Sequence, residues 1–134
     1  MAAHITLASN FVINKTVAEL ITILEEFATT HNPVTAIGDE DDYFGSLGQV
    51  HVTKLAMNSD LRKLHTGLIN ILRDNGAVYD DPRYIEDGYI AHATVWHDKR
   101  INKSDEILFD EITLVDMFPG NNIKQRKTLK TVKL

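Results

Sequence analysis

The chain has 134 residues, 43% hydrophobic and 25% charged, with a formal net charge of −5 and no cysteine. These values fit one domain with a substantial core; they exclude disulfides, thiolate chemistry and a Cys-based zinc site, and they argue against a general nucleic-acid coat. No apolar run approaches the roughly 20 residues of a membrane span and no signal-peptide pattern opens the chain, so a cytoplasmic setting without membrane contact is expected.

Residues 4–8 alternate as a strand does. Thr16-Val17-Ala18-Glu19 is a capping box, in which hydroxyl and carboxylate satisfy the free N–H groups of a helix start. Val17, Leu20, Ile21, Leu24, Phe27 and Ala28 follow at one-sided helical spacing, and that helix ends before Pro33. A short strand over 34–37 leads into the acidic run Asp39-Glu40-Asp41-Asp42, read as a solvated loop. Residues 49–56 alternate again, with Val50, Val52 and Lys54 against His51, Thr53 and Leu55. Ser59 or Asp60 caps a second helix with Leu61, Leu64, Leu68, Ile71 and Leu72 on its apolar face, closed at Asn75-Gly76.

Asp80-Asp81-Pro82 is a loop, and the segment from Tyr89 to Trp96 is a strand. Residues 99–106 make a polar connection, 107–117 a strand, Pro119 to Asn122 a turn and 125–134 a last strand. The order is βαββαβββ or close to it, an α+β fold of two helices on mostly antiparallel sheet. Lys124, Arg126, Lys127, Lys130 and Lys133 crowd the C-terminus. They read as an edge strand guarded by lysines or as a strip that meets a phosphate, with Arg126 the substrate contact.

Six histidines and twelve threonines in this length predict about half a His-x-Thr triplet by chance. Three occur: His4/Thr6, His51/Thr53 and His92/Thr94. Side chains two apart leave a strand on one face, so each triplet aims an imidazole and a hydroxyl the same way. Two such strands facing one cleft can surround a phosphate ester. One imidazole takes a proton from water or a hydroxyl, and the other gives one to the leaving oxygen; the free histidine pKa of about 6.5 suits both tasks. The threonines donate to the non-bridging oxygens, and neither a metal nor another cofactor is needed.

His4-Ile5-Thr6-Leu7 and His92-Ala93-Thr94-Val95 resemble the paired His-x-Thr-x signature of the 2H phosphoesterase superfamily, the 2′-5′ RNA ligase-like proteins and cyclic phosphodiesterases. The order between them is similar too: helix, Phe44-Gly45 turn, strand, helix with Leu64-His65, then the second motif. The resemblance covers nearly the whole chain. It implies a bilobal α+β fold of pseudo-twofold halves around a central cleft, with His4 and His92 as the acid/base pair and Thr6 and Thr94 as phosphate holders. The implied substrate is a nucleotide or RNA-end phosphodiester, a 2′,3′-cyclic phosphate or a 2′-5′ bond. Family members usually carry a strand and a helix ahead of the first motif, whereas three residues precede His4; an open sheet edge, through which copies can associate, is therefore expected.

The alternative is a binding module that keeps the cleft and recognises nucleotides or RNA ends without turnover. Tyr43, Phe44, Tyr89 and Trp96 are candidates to stack a base, with packing an equal reading for each. His51 is incidental, a cleft-lining residue, or the partner of His92 should His4 be structural. His65 is expected to be packed, and His97 to face away from His92.

Overall fold

The computed structural model describes residues 4–95, 100–117 and 126–134. Helix α1 (Val17–Thr29) starts where the capping box puts it: Glu19 N donates to Thr16 Oγ1 and Thr16 N donates to Glu19 Oε1, both at 3.1 Å. It buries Leu20, Leu24, Phe27 and Ala28, while Val17, in the first turn, stays exposed. Thr16→Ala is expected to cost about 1 kcal/mol in a urea titration, the usual worth of an N-cap side chain. An unchanged midpoint would show that the box contributes nothing.

Helix α2 (Ser59–Asp74) is capped by Asn58, whose side chain accepts from Leu61 N at 2.8 Å, one residue ahead of the expected Ser59. Its end matches the sequence reading. Gly76 takes φ +99°, and Ala77 N to Leu72 O with Gly76 N to Arg73 O close a Schellman-type stop. The buried face is Leu61, Leu64, His65, Leu68, Ile69 and Leu72; Ile71 is only half-buried.

Among the described residues three antiparallel sheets complete the α+β fold. β1 (Phe11–Val12) pairs with β4 (Val78–Tyr79). β2 (Val34–Phe44), β3 (Val50–Ala56), β5 (His92–Thr94) and β6 (Glu106–Phe109) form a four-stranded sheet in the order β5-β3-β2-β6. β7 (Glu111–Asp116) pairs with β8 (Lys127–Lys133). α2 packs on β2 and α1 on β8. Val34, Ala36, Leu55, Ala91 and Ala93 of the four-stranded sheet and its approach join the helices and Ile112, Leu114 and Val132 in one core. No helix among the described residues is long and apolar enough to cross a membrane.

Four expected elements differ, the first being the strand expected from Tyr89 to Trp96, which is a strand only over His92–Thr94 among the described residues. Residues 4–8 form no strand ladder, although the alternation persists, with His4 and Thr6 exposed and Ile5 and Leu7 half-buried. The Asp39–Asp42 run is no loop: β2 continues through it, with a register irregularity between Gly38 and Asp41. The expected strand over 107–117 breaks at Asp110 into β6 and β7, which join different sheets. Trp96, His97, Lys124, Gln125 and the Pro119–Asn122 turn lie outside the described residues.

Candidate functional site

Among the described residues β5 is the last strand of its sheet, and it pairs with β3 in the register Val52↔Thr94, Thr53↔Ala93 and Lys54↔His92. Directly opposed residues share a face. His92 and Thr94 therefore stand with Val52 and Lys54 on the outer face, while Ala93 and Thr53 turn inward and are buried. Both motif side chains are half-buried.

His92 is held in one orientation. Its Nδ1 lies 2.8 Å from Ile90 O, and a carbonyl can only accept, so Nδ1 carries the proton. In the neutral ring the lone pair is then on Nε2, which has no hydrogen-bond partner among the described residues. The Phe44 ring meets the imidazole edge to face, with centroids 4.7 Å apart and planes at 74°. By register the diagonal from Phe44 to His92 passes over Val52, which is wholly buried although it belongs to the outer face.

The first motif is fastened by side chains instead of a ladder. Tyr89 Oη donates to Thr6 O at 2.8 Å, and His65 Nδ1 donates to Leu7 O at 2.7 Å. The other nitrogen of His65 accepts from Glu86 N at 2.9 Å, which fixes a neutral ring. Burial holds this imidazole below the usual histidine range. The Tyr89 and His65 rings stack 3.8 Å apart and nearly parallel, and burial raises the Tyr89 hydroxyl's pKa. Just ahead of Tyr89, a methyl on Gly88 would stand 1.8 Å from Arg83 O, so the turn accepts only glycine there. Tyr89 thus ties the first motif's backbone to the chain three residues before His92. Its buried ring is a fastening, the packing that was one of the two readings for Tyr89. The side chains of His4, Thr6 and Thr94 make no hydrogen bond among the described residues.

His51 and Tyr43 lie elsewhere. Tyr43↔His51 and Asp41↔Thr53 are opposed pairs on the face that carries Ala93, and the Tyr43 and His51 rings stack 4.7 Å apart. His51 Nε2 donates to Asp41 Oδ2, and Arg100 Nη2 to Asp41 Oδ1, each at 2.8 Å. Those two bonds, His51 first, hold the Asp41 carboxyl below the usual range. An anion beside His92 meets neither Tyr43 nor His51, because the sheet stands between them. Arg126 is exposed ahead of β8, without hydrogen bond or ion pair among the described residues.

Of the candidate substrate contacts among the described residues, Phe44 alone has a ring contact with a motif imidazole. Lys54 was not singled out from the sequence. The alternation in 49–56 put it across from His51, but its place beside His92 depends on the β3–β5 register. Two shallow concavities, of about 250 Å³ at His31, Asp60 and Lys63 and about 310 Å³ at Glu25 and Lys130, include no motif residue. No three His, Asp or Glu side chains gather as a metal ion would need among the described residues. The chain matches no family model and no curated protein.

Proposed function

We propose that the chain is a 2H-type phosphoesterase that cleaves a nucleotide or RNA-end phosphodiester, a 2′,3′-cyclic phosphate or a 2′-5′ bond, without a metal. The observation that carries this reading is the set of His92: a half-buried ring oriented by Ile90 O, with Nε2 left to act as a base and a threonine hydroxyl on the same face. The Tyr89–Thr6 bond supports a shared site by bringing the first motif's backbone to the approach of the second.

In hydrolysis the oxygen of water bonds to phosphorus and its proton passes to the neutral imidazole. The bond from phosphorus to the 2′ or 3′ oxygen breaks, and that oxygen takes a proton from the second, protonated imidazole. Thr6 and Thr94 donate to the non-bridging oxygens. His4 and His92 exchange roles with the direction of reaction.

A panel of 2′,3′-cyclic nucleotides and 2′-5′ dinucleotides, assayed with and without EDTA, is expected to give product at equal rates. Inhibition by EDTA would point to a metal mechanism. Nucleoside phosphate binding by calorimetry with no product from any substrate would favour the binding module.

A further inference from the structure

Among the described residues that register puts on the outer face of the four-stranded sheet, Lys54 is the one cation; Asp42 and Glu106 are the acids there. Lys54 is directly opposed to His92, which sets their Cβ atoms about 5 Å apart. Its ammonium lies 3.6 Å from Asp42 Oδ2, longer than a good hydrogen bond, and both side chains are partly exposed. Asp42 also accepts from Tyr43 N at 2.8 Å, so its carboxylate does not depend on the lysine alone.

We infer that Lys54 holds a non-bridging oxygen of the phosphodiester beside His92 and supplies the positive charge of the site. This rests on the phosphoesterase reading. A phosphodiester arrives with one negative charge, and attack by water that has lost its proton to an imidazole adds a second. Threonine hydroxyls donate hydrogen bonds but bring no charge to offset that gain. An ammonium on a flexible four-carbon stem is a mobile point charge, and one loosely paired at a surface is free to turn from a carboxylate to a phosphate. The competing account makes Lys54 only a neutralising partner for the acidic end of β2; that account leaves turnover and anion binding untouched when the charge is removed.

The test uses the full chain as wild type, Lys54→Met, Lys54→Gln and Lys54→Arg. Readouts are turnover of 2′,3′-cyclic nucleotides and inorganic phosphate binding followed by NMR at the His92 ring protons. Removing the charge is expected to lower kcat/KM about 10²-fold, mostly through kcat, and to weaken phosphate binding, while Lys54→Arg recovers most of both. Two neutral variants are used so that one failing to fold leaves the other to decide. Wild-type turnover that both rates and binding retain in a folded neutral variant overturns the role of Lys54 and leaves the esterase reading standing. Phosphate binding that depends on Lys54 in a wild type that turns over nothing upholds the anion contact and overturns the esterase. A wild type that neither turns over nor binds phosphate overturns both.

Discussion

His92→Ala is expected to lower turnover of the best cyclic phosphate by about 10³-fold or more, within the range that one acid/base group contributes, while the far-UV spectrum and melting curve stay close to wild type. The ring is half-buried on β5, and among the described residues its one hydrogen bond is to a carbonyl and its one ring contact is the edge-to-face meeting with Phe44. Removing it takes little from the core. His4→Ala should act alike, since His4 is exposed and has no side-chain hydrogen bond among the described residues, and the double variant should be little worse than either alone. Rates should follow a bell-shaped pH profile, because one imidazole must be neutral while the other is protonated. Retained turnover in folded His92→Ala would end the proposal.

His65→Leu is expected to cost about 2–4 kcal/mol, because it strands Leu7 O and Glu86 N, each unsatisfied group at about 1–3 kcal/mol. The pH dependence has a definite sign. Burial depresses the folded-state pKa below the ordinary histidine value of about 6.5, so below that value the unfolded chain takes up the proton more readily. The stability contributed by neutral His65 is complete above about pH 6.5 and is lost as pH falls toward the folded-state value. Urea titrations from pH 8 to pH 5 should show this slope in the wild type and a shallower one in His65→Leu. Parallel curves would remove His65 as the source.

Both helices were legible in the sequence because periodicity and stop signals agreed: Thr16 with Glu19 at one start, Asn75-Gly76 at the other end. The shared face of His92 and Thr94 followed from strand alternation alone. The acidic run misled because four adjacent acids resemble a solvated loop, whereas Asp41 and Asp42 find Arg100, His51 and Lys54 from other segments. No local pattern discloses a cation supplied 59 residues away. The break at Asp110 was readable in principle: Ile107 and Phe109 keep one parity, whereas Ile112 and Leu114 keep the other. Residues 4–8 alternate as a strand should, but two of their carbonyls accept from Tyr89 and His65 side chains, partners that sequence does not announce. For the site, the missing knowledge was register, which sets Lys54 beside His92 and sends His51 to the far side.

The Tyr89–Thr6 and His65–Leu7 bonds make the two motifs unequal in how they are anchored. The second is woven into a ladder; the first hangs from two side chains and the partial burial of Ile5 and Leu7. Detaching that leading stretch breaks these two hydrogen bonds but no strand ladder, so it can come loose before the laddered second motif does. On gentle warming, half of the proposed acid/base pair is expected to leave first, with the proposed activity fading below the melting temperature as a reversible loss that cooling repairs.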